Sequence, residues 1–184
     1  MRLQEVNTGN IVQEISKVIQ NQEEVLGYMV VDEDYVSPGY HNEFNREFCE
    51  KNNIKICPSQ NQGGVLFISK GDFEIGLFSK DTENKFHEEF AKVLKDYLVG
   101  KGINCEYQGN DLIADGQYKV TSFSTRRYGD ILFSAFHIAI NMNLEMIQAI
   151  CLKPMVKVPK GLADYGVTTD EIKALFLGFA KDII

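Results

Sequence analysis

The chain has 184 residues, 44% of them hydrophobic, enough to bury one substantial core and within the usual size of a single domain. Its formal net charge of -7, from 26 acidic against 19 basic residues, and the absence of any run of Lys and Arg argue against a nucleic-acid or membrane-surface role. The N-terminus, MRLQEVNTGNIVQEI, has no uninterrupted apolar segment of the secretory type, and no stretch approaches the length of a bilayer span, so the expected location is cytoplasmic. Cys49, Cys57, Cys105 and Cys151 are widely spaced with no C-x-x-C pair; they suggest neither a zinc ribbon nor a disulfide framework and read as buried free thiols.

From Thr8 onward, Ile11, Val12, Ile15, Val18 and Ile19 recur at helical spacing behind a polar start and predict an amphipathic helix. VLGYMVVD, Val25 to Asp32, predicts a buried strand. A second helix is predicted through NEFNREFCEKN, with Phe44, Phe48 and Cys49 on one side and an end near Asn52 and Asn53. IKIC, the QNQGG junction at Gln60 to Gly64, VLFISK, a turn at Gly71 and Asp72, and FEIGLFS then form a β-rich stretch suited to an antiparallel hairpin.

The period changes in NKFHEEFAKVLKDYLVGKG, where Phe86, Phe90, Val93, Leu94, Tyr97 and Leu98 mark a helix face and Gly100 and Gly102 signal its exit. INCEYQ, DLIAD, QYKVTSFS and DILFSAFHIAINM read as short strands, with ADGQ a tight-turn candidate. NLEMIQAICLK predicts a short helix, and Thr168 with Glu171 forms a capping-box pattern ahead of a last helix, IKALFLGFAKDI. The loop between them, KPMVKVPKGLADYG, reads as a flap or a connector. Helices and antiparallel strands interspersed without a regular βαβ repeat give the class α+β.

Two blocks carry a family resemblance. CPSQNQGGVLFISKGDFEIGLF and GNDLIADGQYKVTSFS lie where lipoate-protein ligases carry R-R-x-x-G-G-G before an apolar strand, and N-D-[LI] followed by a lysine in K-[VI]-[ST]-G-[ST]. PGYHNEFNREF, Pro38 to Phe48, loosely matches a further segment of that family, and NMNLEMI follows a strand as it does there. From Val25 to the last helix, the chain resembles the catalytic domain shared by lipoate-protein ligases, octanoyltransferases and biotin ligases. The resemblance implies a class II synthetase-like domain with a mixed, mostly antiparallel sheet packed with helices. It implies one such domain over residues 1–184, without an accessory C-terminal domain.

The same resemblance implies a chemistry and its residues. A medium-chain acyl group, lipoate or octanoate, would pass to a lysine of a lipoyl-carrier domain or an acyl carrier protein, with ATP and Mg needed only for the ligase version. Lys119 would stabilise the oxyanion. Gly63 and Gly64 would let the backbone approach the ligand, although a glycine pair between strands also reads as a plain turn. Asn110 and Asp111 would make polar or metal-phosphate contacts, or simply form a turn before a strand.

Departures from the family pattern bear on the reaction. Pro58 and Ser59 stand in place of the paired arginines and Gln62 in place of the first of three glycines, which removes two planar cationic forks. Phe136 is expected to put a ring where a small residue leaves room in the acyl pocket, and His137 alternates to the side opposite it. Cys151, in AICLKP, lacks the flanking proline and glycine of the family's P-C-G and reads first as an inert buried thiol; the alternative makes it the candidate catalytic nucleophile of an octanoyltransferase, its pKa lowered by a neighbouring lysine. His41 and His87 have no metal-ligand spacing. The competing functional expectation is a catalytically degenerate protein of the same fold that binds a small ligand or has a regulatory role.

Overall fold

Residues 40, 41, 59–63, 82, 84 and 110 apart, the whole chain is described by the structure, a computed structural model. Gly63, Asn110, His41 and most of QNQGG therefore lie outside the described residues. The main sheet has the strand order β1 (Arg2–Glu5), β2 (Val25–Val30), β6 (Phe73–Ser79), β11 (Ile131–Ile138), β10 (Thr121–Tyr128). The β1–β2 pair is parallel and the other pairs are antiparallel, in agreement with the expected α+β class. A four-stranded sheet runs β12 (Val158–Pro159), β9 (Tyr118–Lys119), β8 (Asp111–Ala114), β7 (Cys105–Gln108). A three-stranded sheet runs β4 (Lys55–Ile56), β3 (Tyr35–Pro38), β5 (Val65–Ile68). The helices are α1 (Ile11–Asn21), α2 (Arg46–Lys51), α3 (Phe86–Gly100), α4 (Leu144–Ile150) and α5 (Thr169–Ala180).

Side chains alternate across a strand, so each face of the main sheet builds a different core. Phe73, Ile75 and Leu77 of β6 and Phe136 and Ile138 of β11 pack with Phe90, Leu94 and Leu98 of α3 and Ile172 and Phe176 of α5. Aromatic edges fix that layer: the Phe90 and Phe136 rings meet at 5.9 Å and the Phe73 and Phe176 rings at 5.5 Å. On the opposite face, Val25, Phe78, Ile131 and Phe133 pack against Val18 of α1, and the three-stranded sheet brings a separate cluster with α2 and α4.

The capping box is present: the Thr168 hydroxyl accepts from the Glu171 amide at 3.3 Å, and the Glu171 carboxylate accepts from the Thr168 amide at 2.8 Å. The ADGQ turn is tight: Asp115 at φ 52 and Gly116 at φ 73 take positive angles, the Gln117 amide donates to Ala114 O at 3.1 Å, and three residues separate the paired Ala114 and Tyr118. The expected hairpin between VLFIS and FEIGLFS does not form. β5 pairs with β3, and β6 pairs with β2 and β11, so the chain changes sheets at Gly71 and Asp72. Gly71, at φ +92, is confined there, since a Cβ would stand 2.2 Å from Asn141 Nδ2.

Asp72 holds this crossing. Its fully buried carboxylate accepts from the Ser69 amide at 2.9 Å, the Ile140 amide at 2.8 Å and the Asn141 amide at 2.9 Å, and it meets His137 Nε2 at 2.9 Å. Burial disfavours charge on His137, but the hydrogen bond to Asp72 and the negative charges of Asp72 and Glu74 outweigh it and raise its pKa above 6.5. A raised folded-state pKa means the pair's contribution is full below the unfolded value of about 6.5 and is lost as pH rises through the folded value.

Replacing Asp72 with Ala strands three amides, two of them buried, and the imidazole, and is expected to remove about 3–5 kcal/mol of stability in urea unfolding; Asn at this position should remove less. A histidine NMR titration is expected to place His137 above 6.5 and His87, which burial lowers, below it.

Candidate functional site

Lys119 closes β9 one residue before β10 begins. The Val120 amide donates to Leu112 O at 3.1 Å and the Lys160 amide to Lys119 O at 3.0 Å, so the backbone around the lysine is fixed on both sides. Lys119 Nζ lies 3.0 Å from Asp111 Oδ1, and Lys157 Nζ lies 3.7 Å from Asp111 Oδ2. One carboxylate between two ammonium groups leaves net positive charge at this point of an acidic protein.

These side chains edge a cleft of about 440 Å³ whose other walls include Val65, Phe67, Met142, Ile147 and Met155. A chamber of about 120 Å³ adjoins it, lined by Ser37, Glu74, Ser122, Ser124, Ala135 and His137 among others. Lys119, Gly64, Ser122 and His137 border both spaces, so the lysine stands at their junction. Beyond Glu74 and Ala135 lies a third space of about 80 Å³ under α1.

The sheet explains why there is room. Gly27 is in register with Gly76, Gly76 with Ala135, and Ala135 with Ser124, so a row of small residues crosses β2, β6, β11 and β10 on one face. Together the chamber and the space under α1 follow this row as a trough, narrowed at Gly76 by the Phe133 ring, which a Cβ there would meet at 3.2 Å.

The sequence-derived candidates fall as follows. Lys119 and Asp111 are brought together. Gly64 borders both the cleft and the chamber, and a Cβ built there meets nothing within 4 Å, so its bare backbone leaves the mouth open. His137 borders both spaces while its Nε2 is engaged by Asp72.

One expectation is corrected. Phe136 does not enter the pocket: it is buried in the α3 core on the other face of the sheet, and Ala135 and His137 are the β11 residues that face the chamber. Cys151 lines the large cleft, but its environment is not that of an activated nucleophile. Burial pushes its thiol up, and its Sγ lies 3.9 Å from Val65 O.

Glu74, Tyr35 and Lys157 were not singled out from the sequence. For Glu74 a signal existed, since a carboxylate alternating with Phe73 and Ile75 must face away from their core; Lys157 lies in a loop with no pattern to place it.

Among the described residues no group of three His, Cys, Asp or Glu side chains could hold a metal ion. No described helix is long and apolar enough to cross a membrane.

No family model matches the sequence. The chain is 24% identical over 123 residues to lipoate-protein ligase 1 of Staphylococcus aureus, a match covering 65% of this chain and 38% of that protein. It thus spans well under half the length of this curated relative. A bi-partite lipoate protein ligase from Thermoplasma acidophilum, solved in a study that includes its E2 lipoyl domain, superposes with a TM-score of 0.77 at 18% identity, covering 99% of this chain and 83% of that one. Lipoate-protein ligase A bound with ATP superposes with a TM-score of 0.77 at 18% identity, covering 99% of this chain and 85% of that one. The chain therefore has the catalytic-domain fold of the biotin/lipoate ligase superfamily.

Proposed function

We propose that this chain is a lipoate-protein ligase-like acyl-transfer protein: it binds a medium-chain carboxylic acid of the lipoate or octanoate type and passes the acyl group to a lysine amine on a small carrier domain. The observation that carries this reading is the position of Lys119 at the junction of two spaces. A reacting acyl carbonyl needs its tail on one side and its leaving group on the other, and a cation between them serves both.

The trough of Gly27, Gly76 and Ala135 suits the narrow tail. The wider cleft between Val65, Phe67 and Met155 suits the leaving group, either the AMP of an adenylate or the thiol of a thioester. The carrier amine attacks the carbonyl carbon and charge collects on its oxygen. Collapse then breaks the C–O bond to AMP or the C–S bond to the thiol, leaving an amide as the amine loses a proton. Lys119 offsets the oxyanion, and Asp111, 3.0 Å from its Nζ, holds the ammonium in place. Among the similar structures, one ligase holds ATP and another was solved in a study with its E2 lipoyl domain, which supports the choice of donor chemistry and carrier.

One observation favours the alternative, a catalytically degenerate binding or regulatory protein. Pro58 stands where the family carries an arginine, so phosphate contacts made from that loop are reduced.

Transfer to a lipoyl domain, followed as a mass increase with lipoate, ATP and magnesium or with an octanoyl-carrier thioester, separates the two. The expected outcome is acylation from at least one donor, a loss of about 10²–10³ in rate for Lys119→Ala, and most of the rate retained in Cys151→Ser. Octanoate binding with no mass increase from either donor would establish the degenerate reading instead.

A further inference from the structure

Glu74 is an odd residue to find beside an acyl trough. It lies in the middle strand of the main sheet, between Phe73 and Ile75, and borders both the chamber next to Lys119 and the space under α1. Its position in the sheet is central, yet it keeps partial exposure, and that exposure opens onto these cavities. The Tyr35 hydroxyl donates to Glu74 Oε2 from the facing three-stranded sheet. An ionised carboxylate offers roughly four acceptor sites, and among the described residues Tyr35 donates to it, which leaves acceptor capacity toward the cavity.

We propose that Glu74, braced by Tyr35, is a polar subsite for the tail of the ligand, and that the preferred ligand is a medium-chain carboxylic acid bearing a hydroxyl or amide N–H on its outer half. This narrows the substrate class and rests on the acyl-trough reading above. A plain alkyl tail would seal Glu74 from water without replacing its lost hydrogen bonds, a penalty of about 1–3 kcal/mol. A tail with a donor removes that penalty and gains a hydrogen bond in its place. Sites built to pair a substrate hydroxyl discriminate strongly against analogues without it, for this reason.

The register sets the distance. Glu74 on β6 and Ser122 on β10 are both in register with His137 of the intervening strand, so their backbones lie two strand spacings, about 10 Å, apart. A chain whose carboxyl sits at Lys119, beside Ser122, therefore reaches Glu74 with its outer carbons. Ser37 and Ser124 make the chamber more polar than an alkyl tail alone would require.

The test compares 8-hydroxyoctanoate with nonanoate, its all-carbon isostere, by isothermal titration calorimetry on the full chain. The wild-type protein should bind the hydroxy acid at least about tenfold more tightly. In Glu74→Leu the preference should vanish or invert. Tyr35→Phe, which keeps the ring and the carboxyl, should reduce it, with circular dichroism melts confirming that each variant is folded. If the wild-type protein binds nonanoate as tightly as the hydroxy acid, or the preference survives in folded Glu74→Leu, the polar subsite is overturned while the acyl trough stands. If neither acid binds, both fall together.

Discussion

The Asp72 carboxylate is the contact on which the rest of the architecture depends. It sits where the chain leaves the three-stranded sheet for the main one, and its two oxygens bind the end of β5, the residues after β11 and the His137 ring. A buried carboxylate is stable only when its lone pairs are taken up, so this one admits few arrangements of those three segments. The constraint extends to Lys119. Just before the Ile140 amide that binds Asp72, the Ala139 amide donates to Val120 O at 3.0 Å, next to the lysine. A short path of backbone hydrogen bonds therefore joins the sheet crossing to the proposed catalytic cation, and the lysine inherits the rigidity of the core.

Volume on the site face is set by a second rule. Strand alternation sends Phe73, Ile75, Leu77, Phe136 and Ile138 toward α3 and α5; on the other face Phe78, Ile131 and Phe133 pack against α1, and Gly76, Ala135 and their neighbours Gly27 and Ser124 leave space beside them. The trough is thus the complement of the aromatic core. Phe136 and Phe73 fill one face because Ala135 and Glu74 occupy the other.

How much of this was legible in the sequence depended on how local each signal was. The Thr168 capping box, the helix through Phe90 and Leu94 and the ADGQ turn are set by neighbours within a few residues, and the structure has them where their patterns place them. The supposed hairpin at Gly71 failed because its partner choice is non-local: Asp72 binds amides sixty-eight and sixty-nine residues away, and nothing in VLFISKGDFEIG announces them. Phe136 was placed in the pocket by register against a family pattern, and a shift of one residue moves a strand side chain to the opposite face. Lys119 and Asp111, which lie eight residues apart on paired strands, were legible; Lys157, which completes their charge arrangement, was not.

That arrangement also bears on how strongly the site holds a ligand. Asp111 occupies Lys119 and Lys157 before any anion arrives, so a carboxylate or phosphate must share those ammonium groups rather than meet them bare. Sharing weakens ground-state binding. The oxyanion of a tetrahedral intermediate concentrates charge that the neutral carbonyl lacked, and it competes with Asp111 more effectively than the substrate does. An interaction that strengthens only as the reaction proceeds lowers the barrier without trapping the substrate, and in the proposed acyl transfer the pre-paired Lys119 would supply that difference.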